Sequence, residues 1–374
     1  MRQLIPATKR SFPGVGFAAI VTMSILSACS GSNDDLPSGN PDVEAGVADV
    51  ADGATTDVGT PTPMDAGADV EGGATTLCGS TRCRTDQVCN AVTSLCEYSC
   101  TGKQVPGDYA TLAAAVQALA NDDAVICYHG PTPTPTTTLD ISISKNLTIV
   151  GVADKEKTED LHIVTGSTGS LSLKGLEPLA IRAEGGTVLT VSNSRLAVFI
   201  LESTQTGDVL IDGSEARGVA SLHPAANTTV TVQNSYIQNE IGVGSTVGST
   251  ATYRILYNTF SSAGLYIGGA DTKVDVIGNI FVKAKGVALM AEAIGAGSNF
   301  KNNLFFENKA DFGGVAAAGP GDVMADPLFD TSKPPGLKVG SPARGAGALG
   351  TAPATDFYGI PRSTPPDLGA VQSQ

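Results

Sequence analysis

Residues 230–306 repeat one phrase four times: an asparagine followed two positions later by an aromatic residue. The pairs are Asn234/Tyr236, Asn258/Phe260, Asn279/Phe281 and Asn303/Phe305, with the asparagines 24, 21 and 24 residues apart. In three of the segments a short apolar run follows: Ile241-Gly242-Val243, Gly264-Leu265-Tyr266-Ile267 and Gly286-Val287-Ala288-Leu289. A unit recurring at this period cannot bury its apolar face alone. It must stack on its neighbours, which makes it one coil of a solenoid.

The same phase extends backwards. Gly151 follows Leu-Thr-Ile-Val, Gly175 follows Leu-Ser-Leu-Lys, Asn193 follows Leu-Thr-Val-Ser, and Asp212-Gly213 follows Val-Leu-Ile. With Asn234, Asn258, Asn279 and Asn303 this gives eight turn positions, about 22 residues per step. Coils of this length with three short strands look like a right-handed parallel β-helix, an all-β fold. Its corners need left-handed backbone, which glycine and asparagine tolerate. Asn193, Asn234, Asn258, Asn279 and Asn303 are therefore expected to form one turn ladder, with hydrogen bonds from coil to coil. Tyr236, Phe260, Phe281 and Phe305 are expected to stack inside. A β-sandwich would lack the repeated phrase, and a leucine-rich repeat would need a leucine ladder that is absent. The composition agrees: 44 Gly, 21 Pro, no Trp and only 16% charged residues describe a turn-rich chain.

The chain opens with a targeting segment, residues 1–28. Arg2, Lys9 and Arg10 precede a mostly apolar stretch, Phe12 to Leu26, broken by Pro13 and Gly14 and too short to span a membrane comfortably. It ends in Leu26-Ser27-Ala28-Cys29, which resembles a bacterial lipobox. The resemblance implies that Cys29 is lipidated and holds the protein on the outer membrane, with Ser30 in the following position. Residues 30–76 contain ten acids and no Lys or Arg or aromatic residue. They read as a disordered acidic tether, with no compact calcium-binding loop. Most of the net charge of −14 sits in this segment, and nothing in the chain would attract nucleic acid phosphates.

Residues 77–103 form a cysteine-rich module. Cys78, Cys83, Cys89, Cys96, Cys100 and Cys127 make an even count in an exported chain, hence three disulfides. No C-x-x-C pair or nearby histidine supports zinc. The spacing resembles short cysteine-rich motifs of bacterial lipoproteins. Fifteen connectivities are open to six cysteines. The expected set is Cys78–Cys89, Cys83–Cys96 and Cys100–Cys127, the last stapling the module to the next domain.

The solenoid is expected over residues 104–324. Thr111 to Ala120 carries Leu112, Val116 and Leu119 at helical spacing, and Ala124 to Tyr128 reads as a strand. This opening resembles that of pectin-lyase-like proteins, which implies a helix laid over the open end of the first coil. Residues 325–374 contain Ala325-Asp326-Pro327-Leu328-Phe329-Asp330, Ser341-Pro342-Ala343-Arg344-Gly345-Ala346-Gly347, Asp356-Phe357-Tyr358-Gly359-Ile360-Pro361-Arg362 and Asp367-Leu368-Gly369-Ala370. They resemble the C-terminal segment of bacterial β-helix proteins of the choice-of-anchor Q kind. Arg344 and Ala346 replace the usual Ile and Asp, and Val371-Gln372 replaces Tyr-Glu. The segment is expected to form a last coil and a cap on the C-terminal end. Asp326, Asp356 and Asp367 are expected to cap turns.

Fold alone does not assign chemistry. The repeats hold no Asp-Asp pair of the kind glycosidases use, and His129, His162 and His223 are far apart, none with a Ser or Cys partner at motif spacing. The best constellation counts four residues back from each turn position: Asp208, Val230, Arg254, Asp275 and Asn299. Stacked coils lie about 4.8 Å apart, so Arg254 and Asp275 become weak catalytic candidates on one outer face. Glu240, Lys273, Lys283, Lys285 and Glu292 lie in the same coils. The first expectation is a monomeric, non-catalytic surface lipoprotein for contact, adhesion or scaffolding. It needs no cofactor or metal, and its partners are the membrane and either polysaccharide or a cell-envelope protein. The alternative is a polysaccharide lyase or glycoside hydrolase, which under the lyase reading would use Ca²⁺.

Overall fold

The computed structural model describes residues 77–79, 81–130, 138–153, 156–178, 180–218, 220–244, 250–269, 272–330 and 336–373. The targeting segment, Cys29 and the acidic tether lie outside the described residues. Three parallel sheets of ten, nine and seven strands run the length of a β-solenoid of about ten turns. One coil shows the pattern: Thr252–Leu256 joins the ten-stranded sheet, Thr259–Ser261 the seven-stranded sheet and Leu265–Gly268 the nine-stranded sheet. Each strand pairs in register with its counterpart one coil on, as Tyr253 with Val274 and Phe260 with Phe281. Alternation along each strand sends one set of side chains inward. In the ten-stranded sheet Leu189, Val209, Val230, Tyr253 and Val274 stack in one such row, all buried. The Tyr253 hydroxyl, inside the core, donates to the carbonyls of Leu222 and Gly244.

The corner after the ten-stranded sheet holds left-handed backbone in seven successive coils: Gly175, Asn193, Gly213, Asn234, Tyr257, Gly278 and Asn302. This corrects the single asparagine ladder. Asn193 and Asn234 occupy the corner itself, with φ of 52° each. Asn258, Asn279 and Asn303 sit one position later, fully buried. There they continue a different row that begins with serines. Ser194 N donates to Ser214 Oγ, Ser214 N to Ser235 Oγ, and Ser235 N to Asn258 Oδ1. Asn258 N then donates to Asn279 Oδ1, Asn279 N to Asn303 Oδ1, and Asn303 N to the carboxylate of Asp322. Burial raises the Asp322 carboxyl above its ordinary range, opposed by its bonds from Asn303 and Gly319. Each amide also donates into the coil behind, as Asn279 Nδ2 to Ile255 O at 2.8 Å.

The one-residue offset has a second consequence, because a slip of one moves a side chain to the opposite face of a strand. Tyr236 aligns with Thr259, and Ile237 aligns with Phe260. The internal aromatic stack is therefore Phe260, Phe281 and Phe305, with ring centroids 4.5 and 5.1 Å apart. Tyr236 faces outward, half-buried against Phe357, Tyr358, Ala370 and Val371.

The helix Leu112–Leu119 covers the N-terminal end. Thr111 caps it through Ala114 N, and Leu112, Ala115, Val116 and Leu119 are buried toward the first coil. The cysteine module contains the disulfides Cys78–Cys89 and Cys83–Cys96, and Cys100–Cys127 ties it to the strand Ala124–Tyr128 of the ten-stranded sheet. The module's small core consists of cysteines. The module lies on the corner of the early coils. Tyr98 N donates to Val152 O, Lys174 Nζ sits 2.7 Å from Asp86 and over the Tyr98 ring, and Asn193 Nδ2 reaches Asp86.

Residues 325–373 do not form a cap on the C-terminal end, which corrects that expectation. They run back along the same corner as a strap. Asn302 Nδ2 donates to Ala346 O, Tyr257 OH to Ala348 O, Gly369 N to Gly278 O and Ala370 N to Thr259 Oγ1. The Arg362 guanidinium donates to Asn234 Oδ1 at 2.7 Å and to the carbonyls of Asp367 and Gly369, and lies over the Tyr257 ring. Burial pulls its pKa down to about 10 against the opposing pull of Asp356, Tyr257, Asp367 and Asp212. The strap ends on the cysteine module: Thr85 N donates to Tyr358 O, and Arg84 lies over the Phe357 ring. Glycine at the corner lets the layers approach closely. At Gly278 the Tyr257 ring lies 2.7 Å from where a Cβ would stand.

Candidate functional site

Arg254 and Asp275 are register neighbours on the outer face of the ten-stranded sheet. Their row is Leu210, Thr231, Arg254, Asp275 and Asn299. Val230 is instead buried inside, and Asp208 lies two positions before Leu210, so neither belongs to it. The cause is the same offset at the corner. Asp275 accepts from Asn299 Nδ2 at 2.7 Å, and the residues beside Arg254 in a shallow hollow are mainly threonines and aliphatics. The other charges of these coils are spread over the surface. Lys273 shares the ten-stranded sheet, Lys283 stands at a corner, and Glu292 binds the Tyr266 hydroxyl on the nine-stranded side. The fold thus places Arg254 beside Asp275, and Asp208, from two coils back, lines the same hollow as Arg254.

Charged side chains elsewhere pair along the stacking direction. His162 lies between Asp140, its register partner on the preceding coil, 2.9 Å from Nδ1, and Glu184, just past the end of the strand Ala180–Ala183 on the next coil, 3.1 Å from Nε2. Burial works against its charge, but Glu184 and Asp140 outweigh this and raise its pKa above 6.5. Arg195 bridges Glu177 and Glu215, at 2.9 Å each, and Arg217 also reaches Glu215. Among the described residues the one grouping with metal-ligand spacing is Cys78, Cys83 and Cys96, and all three are consumed in disulfides.

A cleft of about 380 Å³ lies between the seven-stranded sheet and the strap. Its floor is apolar, with Tyr236, Val282, Phe306 and Phe329. Its far wall is the strap segment around Asp326, Leu328 and Lys338. That wall is tied internally: Asp326 Oδ1 accepts from Leu328 N, Lys338 N donates to Leu328 O, Ser341 Oγ donates to Pro327 O, and Phe329 bridges Leu337. Leu328 is held at φ 50°, a conformation unfavourable for a bulky side chain. On the near rim Lys283 and Glu307 stand 3.7 Å apart. The turn-capping role expected of Asp326 fits its bond to Leu328 N. Its place opposite Phe306 has no signal in the sequence, because that contact depends on the strap's return path.

Comparison with protein-family models, with curated proteins and with solved structures finds no match to this chain.

Proposed function

We propose that this chain is an exported lipoprotein, anchored through Cys29 to the outer membrane and displayed at the cell surface. Its solenoid serves as a non-catalytic element for contact, adhesion or scaffolding. The observation that carries the reading is the way outward charges are tied from coil to coil, as in Asp140–His162–Glu184 and Glu177–Arg195–Glu215. Such pairs build a solvated face whose charges are spent on one another. Lipobox, acidic tether and stapled module support export and display. Palmitate labelling tests the anchor: label is expected on the wild-type chain and not on Cys29→Ala, and equal label on both rejects it. A screen on pectin, alginate and chondroitin, with and without Ca²⁺, tests the rest. Cleavage that disappears in Arg254→Ala or Asp275→Ala would replace the non-catalytic reading with a polysaccharide-cleaving one.

A further inference from the structure

The cleft under the strap combines three properties. It has an aromatic floor, in Tyr236, Phe306 and Phe329. Its wall is hydrogen-bonded internally: Asp326 accepts from Leu328 N, and Lys338 N donates to Leu328 O. Its charges are of both signs and incompletely paired. Lys283 has Glu307 at 3.7 Å, but among the described residues Lys338 has no carboxylate within 4 Å, and Asp326 uses one oxygen on Leu328 N. One wall therefore offers an amine and a carboxylate oxygen that do not neutralise each other, above a surface suited to a ring or an aliphatic chain.

This combination selects among ligand classes. A polyanion would meet Glu307, Asp326 and Asp330, all lining the cleft. A polyamine would meet Lys283 and Lys338. A purely apolar ligand would dehydrate Lys338 and Asp326 without pairing them, which is costly. A ligand with its own ammonium and carboxylate at the ends of a short apolar body pairs both poles and covers the floor. The volume falls in the range of small-molecule sites, and the pre-tied wall reduces the ordering cost of binding. We propose that the cleft binds short zwitterionic peptides, with the ligand carboxylate on Lys338, its ammonium on Asp326 and an apolar side chain on Phe306 and Phe329. This gives the contact reading a ligand class and rests on that reading for its setting, though not for the binding itself.

The test uses the purified chain from residue 30 onward and calorimetric titration with the tripeptide alanyl-phenylalanyl-alanine. Saturable binding is expected. N-acetylation and C-amidation should each weaken it roughly tenfold, as expected for loss of a charge-assisted bond. In Lys338→Gln the amidated and free-acid peptides should bind alike, and in Asp326→Asn the acetylated and free-amine peptides should bind alike. The side-chain amide introduced by Asp326→Asn keeps an oxygen for Leu328 N, so the wall should persist, which unchanged near-UV circular dichroism verifies. Absence of saturable binding overturns the proposal. So does affinity indifferent to both caps, or affinity unchanged in both variants. Binding of chitotriose at least as tight as the tripeptide overturns it in favour of a saccharide site. Because the assay contains no membrane, its failure leaves the palmitate result untouched, and the reverse also holds.

Discussion

The Asn279 side chain makes four hydrogen bonds at once: Oδ1 accepts from Asn258 N and Asn258 Nδ2, and Nδ2 donates to Ile255 O and Asn303 Oδ1. All these groups are buried, so removing the side chain strands donors on both sides. Asn279→Ala is expected to cost about 2–4 kcal/mol in urea unfolding. Asn279→Ser should cost less, since serine fills the equivalent position at Ser214 and Ser235 and there accepts from the preceding coil. The aromatic positions test the register directly. Phe281→Ala should lose about 3–5 kcal/mol, whereas Tyr236→Ala, on the outer face, should lose about 1 kcal/mol. His162 gives a pH signature. Its pKa is raised, so its stabilising contribution is complete below the ordinary value of 6.5 and disappears as pH rises through the raised one. Glu184, lowered first by its bond from Thr165 and then by His162, stays ionised across that window. The wild type should therefore exceed His162→Gln in melting temperature by more at pH 6 than at pH 9, and a proton NMR titration of the ring should show a midpoint above 6.5. The residue scale also explains the misread phase. Asparagine suits both the left-handed corner and the buried ladder one place later, and Asn302-Asn303 occupies both together. A sequence pattern sees one residue type where the backbone has two roles.

At the scale of elements, the coil period, the helix cap and the number of disulfides are written in local patterns: turn residues, apolar spacing, cysteine parity; which cysteines pair is not. The strap is not. Its anchor points join residues far apart in sequence, such as Arg362 with Asn234, and its composition is that of any Gly/Pro-rich tail. Nothing local distinguishes a segment that closes an end from one that doubles back along a corner. Arg362 is the natural place to loosen it, since lysine or alanine cannot bond Asn234, Asp367 and Gly369 together. Arg362→Ala is expected to speed trypsin cleavage after Lys338 and Arg344 several-fold, with little change in cleavage within the coils. Reduction should have a related effect from the other side. The module's core is made of cysteines, so dithiothreitol should unfold it, free Thr85 and Arg84 from Tyr358 and Phe357, and expose the strap's end to protease.

At the scale of the whole molecule, the described chain is a rod with three sheets and one covered corner. The first half of that corner lies under the cysteine module, contacted at Gly175, Asn193 and Gly213. The second half lies under the strap, contacted at Asn234, Tyr257, Gly278 and Asn302. The outer faces of the ten- and nine-stranded sheets remain as broad surfaces, and the cleft sits where strap and seven-stranded sheet meet. A stack of coils is in general a one-dimensional array whose terminal units fray independently of the middle. Here the two ends of the described chain grip each other at Thr85 and Tyr358. The array thereby becomes a closed circuit: peeling the last coil requires lifting the strap, and lifting the strap disturbs the module stapled to the first coil through Cys100–Cys127. Denaturation should accordingly be a single cooperative transition under oxidising conditions and resolve into end-first stages once the staple is reduced.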